Sequence, residues 1–146
     1  MRVTRAIGFV LLTVVLVAAC APAATPAAPV ASPTRAAVRY ATVEATVQPP
    51  GSVRVEMSNY AFAPADIPAA AGKVVLYLVN TSNIPHSIAL RNPAVSQLAV
   101  VALSENVEAG HSAVFTIDDL PAAAYRLTCP IAPHAENGMV GTLTVR

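Results

Sequence analysis

Apolar and polar positions along the chain fall into three regimes. Ala6 to Ala19 is a 14-residue stretch without a charge, preceded by Arg2 and Arg5. Residues 21–50 lack a sustained apolar period, apart from a weak one over Val38 to Val47. They hold six of the thirteen prolines (Pro22, Pro26, Pro29, Pro33, Pro49, Pro50). From Ser52 onward the pattern changes to short runs. Val53-Arg54-Val55-Glu56-Met57 alternates apolar and polar, as a half-buried strand does. Val74 to Val79 is a β-branched and aromatic run suited to a strand covered on both faces. Ser87 to Leu90, His111 to Ile117, Ala124 to Thr128 and Val140 to Val145 are further strand candidates. Turn signals separate them at Ala71-Gly72, Asn80 to Pro85, Asn92-Pro93, Ala109-Gly110 and Leu120-Pro121. Residues 94–107 suit either a short helix or an extra strand. Short strands with regular turns, and no helical period, predict an antiparallel β-sandwich over residues 51–146.

The first regime has the layout of an export signal. A transmembrane helix needs about 20 apolar residues, whereas a signal-peptide core needs roughly 7 to 15. The basic start, short apolar core and small residues at its end place a signal peptide over residues 1–19. Val17-Ala18-Ala19-Cys20 resembles the lipobox of bacterial lipoproteins, in which the cysteine is lipidated and becomes the mature N-terminus. That resemblance implies lipidation at Cys20 and a bacterial membrane address, on the periplasmic or cell-surface side. An ordinary Ala-rich cleavage site beside an incidental cysteine is the plainer alternative. Residues 20–50 then form a lipidated cysteine and an Ala/Pro-rich linker without the apolar face needed to fold. About thirty residues reach roughly 30 Å as a flexible coil and roughly 90 Å as polyproline II, enough for a spacer.

Composition narrows the function classes. Nine basic against eight acidic residues give a formal net charge of +1, which supplies neither a basic face for nucleic acid nor an acidic tail. Processing at Cys20 removes Arg2 and Arg5 and leaves seven basic against eight acidic. Aromatics are 5% and Trp is absent, so the core is built from Val, Leu, Ile and Ala.

The candidate chemistry lies between the last two expected strands, in Cys129-Pro130-Ile131-Ala132-Pro133-His134-Ala135-Glu136-Asn137-Gly138-Met139. Cysteine, histidine and methionine follow one another at five-residue steps, and His86 after Pro85 lies in an earlier inter-strand loop. Two imidazoles and a thiolate with a weak axial thioether are the ligand set of a blue-copper electron-transfer site. Soft sulfur ligands favour Cu(I), and imidazole suits either oxidation state. Pro85, Pro130 and Pro133 restrict the backbone beside the candidate ligands and cannot donate an N–H bond toward the sulfur. Plainer roles exist for each residue. Cys129 suits a buried small hydrophobe, Met139 suits packing at a strand start, and His86 alone suits an ordinary loop. An unpaired thiol outside the cytoplasm would oxidise, which favours a ligand role for Cys129. His111 after Gly110 suits a solvated turn, Tyr60 and Phe62 a core or strand edge, Asp118 and Asp119 an exposed turn, and Glu136 a solvated loop carboxylate.

On these residues the sequence resembles the cupredoxin (type I blue copper) family. The likeness runs from Val55-Glu56-Met57 through Asn83-Ile84-Pro85-His86 to Gly138-Met139-Val140-Gly141, with a Cys-x4-His-x4-Met spacing similar to the auracyanin and rusticyanin branches. The resemblance implies an eight-stranded Greek-key β-sandwich that carries electrons on one type I copper ion held by His86, Cys129, His134 and Met139. It also implies that His134 lies near the surface in an apolar patch and acts as the electron port. Many members have Asn directly after the first histidine, where this chain has Ser87. The implied partners are redox proteins: a cytochrome, a respiratory or photosynthetic complex, or a terminal reductase. The lipid anchor adds the membrane, and a monomer is expected.

Other classes fit less well. Copper delivery would use the same soft ligands but favours exchangeable, Met- or His-rich sites, and this chain has three of each. A multicopper oxidase or copper nitrite reductase needs extra histidines, and only His111 is left over. A binuclear CuA centre needs two cysteines on the ligand loop, structural zinc a closed Cys/His set without a thioether, and no Gly-x-Ser-x-Gly is present. A metal-free adhesion module would explain sandwich and tether but not the Cys, His and Met together. A non-enzymatic electron carrier is the expectation.

Overall fold

The computed structural model describes residues 39–97 and 99–146. The signal peptide expected over 1–19, the lipidated Cys20 and the linker up to residue 38 lie outside the described residues. The described residues form ten strands in two five-stranded sheets. In the first, β1 (Arg39–Glu44), β2 (Val53–Ser58), β3 (Ala61–Ala63), β5 (Gly72–Asn80) and β8 (Ser112–Leu120) lie in the order β1-β8-β5-β2-β3. In the second, β4 (Asp66–Ala69), β6 (Ala89–Arg91), β7 (Val100–Leu103), β9 (Ala123–Thr128) and β10 (Val140–Val145) lie in the order β4-β10-β9-β6-β7.

Alternation decides which side chains meet between the sheets. In β2, Val55 and Met57 are buried while Arg54 and Glu56 face outward. Leu76 and Leu78 of β5 and Phe115 and Ile117 of β8 join them from the first sheet; Leu90, Tyr125, Leu127 and Leu143 come from the second. Each large apolar side chain taken fully from water contributes about 1.5–3 kcal/mol. The all-β sandwich is as expected, but the eight strands implied by the resemblance become ten among the described residues, and the expected antiparallel pairing needs correcting. Two pairings, β2 with β5 and β4 with β10, are parallel. Parallel neighbours cannot be joined by a tight hairpin, so the chain leaves the first sheet after β3, adds β4 to the second sheet, and returns as β5.

The linker expected over residues 20–50 needs correcting at its C-terminal end, because Arg39–Glu44 is a strand. β1 pairs antiparallel with β8 from Arg39↔Asp118 to Glu44↔Ala113. Five of its six residues are exposed, so a ladder of backbone bonds holds it rather than a buried face. The Tyr40 ring also packs edge-on against Phe115, with centroids 6.3 Å apart. Further along, the described residues of the segment left open over 94–107 contain an extra strand, β7, and no helix.

Strand register brings the two candidate loops to one end of the second sheet. β9 pairs with β10 through Thr128↔Val140 and with β6 through Ala89↔Thr128. The loop from Cys129 to Met139 and the segment ending in His86 thus emerge side by side. Gly141, two residues beyond Met139, is required by close packing: a Cβ there would lie 2.5 Å from the Ala65 carbonyl oxygen, which accepts a bond from the Thr142 N–H at 2.7 Å.

Candidate metal centre

Each loop is fixed by its own polar scaffold. Asn80, buried at the end of β5, donates through Nδ2 to the carbonyls of Ile84 (2.7 Å) and Val107 (2.9 Å). Its Oδ1 accepts from the Ser82 N–H (2.9 Å) and the Ser82 hydroxyl (2.7 Å). One amide therefore braces the turn that delivers Pro85-His86. The His86 backbone exchanges two bonds with Val107, N–H to O at 3.1 Å and O from N–H at 2.8 Å. Ser104 continues the brace, accepting from the Ile88 N–H at 2.8 Å.

The second loop closes on itself. The Cys129 N–H donates to the Met139 carbonyl (3.1 Å), the His134 N–H to that of Ile131 (2.8 Å), and the Met139 N–H to that of His134 (3.0 Å). Gly138 has φ +105°, a left-handed conformation that only glycine adopts easily, and this reversal turns Met139 into the core.

The structure brings His86, Cys129 and His134 together. One donor atom from each lies within 4.8 Å of the other two, and all three residues are buried. Cys129 Sγ is 3.4 Å from His134 Nδ1, and the rings of His86 and His134 have centroids 4.9 Å apart. Bonds of about 2.0–2.3 Å to imidazole nitrogen and thiolate sulfur place trigonal donors roughly 3.5–3.7 Å apart, so a single ion suits this spacing. Met139 is fully buried, with its backbone bonded to both Cys129 and His134.

His86 carries the clearest mark of a metal ligand. Both of its ring nitrogens are buried without a hydrogen-bond partner among the described residues. Leaving a buried polar group unpaired costs about 1–3 kcal/mol, and a metal bond removes that penalty for the nitrogen it uses. Burial, and then the neighbouring His134, hold the His86 imidazole below the ordinary histidine range. The ring is thereby kept neutral with a lone pair to give. Two imidazoles and one thiol sulfur, buried and converging, fit copper by softness and by geometry.

Other candidates fall in place differently. Ser87 is buried, and among the described residues no hydrogen bond links its side chain to the Cys129 loop. His111 is more than half exposed and its Nδ1 lies 2.8 Å from Glu44 Oε1, at the edge formed by β1 and β8. Asp118 and Asp119 lie within strand β8 rather than in the expected turn, ion-paired with Lys73 (3.8 Å) and Arg39 (3.6 Å). Phe62 is core; Tyr60 is half-buried with its ring 4.9 Å from that of His134. His134 itself is 6% exposed, next to exposed Pro133. Sequence reasoning did not single out Asn80 or Ser104. The one available signal was an amide closing the apolar run of Val74 to Val79.

Residues 50–146 match the family of copper-binding proteins of the plastocyanin/azurin type. The chain belongs to that family, and its sandwich is a cupredoxin fold. Among solved structures, auracyanin B is 22% identical, with a TM-score of 0.58 over 73% of this chain and 97% of that one. The dithionite-reduced auracyanin of the photosynthetic bacterium Roseiflexus castenholzii is 18% identical, with a TM-score of 0.57 over 65% and 96%. Auracyanin A, a blue copper protein of the green thermophilic photosynthetic bacterium Chloroflexus aurantiacus, is 19% identical, with a TM-score of 0.54 over 66% and 100%. At these identities the likeness speaks for the fold. No curated protein matches the chain.

Proposed function

We propose that this protein is a membrane-tethered blue copper protein that carries single electrons between redox partners and is not an enzyme. The observation that carries it is the convergence of three buried donors, His86, Cys129 and His134, on one point. In this assignment Met139 would give its thioether as a fourth, weak donor. Bound among these residues, copper supplies a one-electron Cu(I)/Cu(II) couple. The chain contributes a cage braced before metal arrives: Asn80 fixes the His86 turn, and main-chain bonds fix the Cys129 loop. A braced cage moves little when the charge of the ion changes, which is what fast exchange of one electron requires. Burial also excludes water from the thiolate and shields it from oxidants.

Copper delivery draws on the same donors, but it needs them accessible to a receiving protein. Burial of all three favours a retained ion. The lipobox at Val17-Ala18-Ala19-Cys20 and the proline-rich segment after it support tethering on the outer side of a bacterial membrane. Voltammetry of the copper-loaded protein separates the two functions. A carrier gives a reversible one-electron wave and keeps its copper against a chelator. A delivery protein gives up the metal rapidly, and that result would overturn the proposal. For the tether, Cys20→Ala is expected to release the chain from membranes.

A further inference from the structure

Arg91 on β6 and Arg126 on β9 are direct partners across an antiparallel pair. Direct partners project from the same face of a sheet. Their neighbours Leu90 and Leu127 fill the core, so both arginines point outward. They line one groove of about 330 Å³ whose other wall is the ligand loop, with Cys129, Ile131 and Ala132.

Like charges directly opposite on a sheet destabilise it. Elsewhere Arg39, Arg54 and Lys73 each face a carboxylate. Among the described residues no ion pair involves Arg126. Glu136 is the one carboxylate lining the groove, so the two guanidiniums outweigh it. This local excess stands on a domain with six basic against eight acidic described residues. A guanidinium is a planar fork that matches carboxylate oxygens two at a time.

We propose that Arg91 and Arg126 form the docking site for an acidic patch on a protein redox partner, and that the groove seats this partner against the Cys129 side of the ligand loop. The inference rests on the electron-carrier function proposed above and names the surface chemistry of its partner. Carboxylates engage the arginines, and apolar side chains meet Ile131 and Ala132. A lipid headgroup could satisfy the same guanidiniums but would gain nothing from lying beside the ligand loop.

The test is stopped-flow electron exchange between the copper-loaded full chain and a c-type cytochrome of net acidic surface, at low salt. Arg126→Glu and Arg91→Glu are each expected to lower the second-order rate about tenfold, with the loss shrinking as salt is added. Arg126→Gln should give a smaller drop. Oxidation by the cationic tris(phenanthroline)cobalt(III) complex should stay constant or rise, and the visible copper spectrum should not change. An unchanged cytochrome rate, or an equal loss with both reagents, overturns the docking site. Unchanged cytochrome kinetics combined with Arg126-dependent binding of the Cys20→Ala chain to phosphatidylglycerol vesicles reassigns the pair to lipid. A copper-loaded wild type that exchanges electrons with neither reagent overturns the carrier function, and the docking site with it.

Discussion

The ring of Tyr60 lies against that of His134, with centroids 4.9 Å apart and planes tilted by 54°. The imidazole of a candidate ligand is therefore held by a side chain from the turn between β2 and β3, far from its own loop in sequence. Tyr60 also packs on the core cluster. Tilted aromatic pairs contribute about 0.5–1.5 kcal/mol beyond their buried area. Tyr60→Leu, which keeps apolar bulk and loses the ring, is expected to lower the stability of the metal-free protein by about that amount in urea unfolding. It should also broaden the His134 imidazole resonances. Unchanged stability and unchanged resonances would mean that the contact positions nothing.

Asn80 holds the other loop. Its amide makes two donated and two accepted bonds around the turn before His86. Asn80→Ala strips partners from the buried Val107 carbonyl and from that of Ile84. At about 1 kcal/mol for each net hydrogen bond lost, the expected destabilisation is roughly 2–4 kcal/mol. Because the turn delivers His86, copper affinity measured by chelator competition should fall as well. Lost stability with full affinity would show that the amide supports the fold but does not place the ligand.

Met139 is buried whether it packs or binds, so burial does not separate the two roles. Met139→Leu does. The volume is nearly conserved, and such swaps cost less than about 1.5 kcal/mol. With an axial role, the variant keeps its intense visible band while its reduction potential rises, because loss of a weak donor favours Cu(I). A potential equal to wild type, read by voltammetry, would assign Met139 to packing alone.

What the sequence made legible follows physical rules. Alternation in Val53 to Met57 carries a strong signal because its two faces differ in exposure, and the run from Val74 to Val79 because both of its faces are covered; both are strands. β1 carries only the weak period over Val38 to Val47: with five of its six residues exposed, pairing with β8 leaves little trace in hydropathy. The parallel pairs were equally hidden, since register with a distant strand is a tertiary property. At the site, Cys129 and His134 stood out because ligand chemistry restricts residue type and spacing. Asn80, Ser104 and Tyr60 did not, because a buried amide, a hydroxyl or a ring in a turn looks like any other until the bond it makes is visible.

The central claim is that the sulfur of Cys129 shares one copper ion with His86 and His134. Copper(II) titration followed by visible absorption, on the wild-type chain and on Cys129→Ser side by side, tests it most directly. The wild type is expected to take up one equivalent, to develop the intense band of thiolate-to-copper charge transfer, and to bleach on reduction. Cys129→Ser should remain a folded sandwich by circular dichroism and show no such band. A serine variant that still turns blue, or a folded wild type that takes up no copper, would contradict the account.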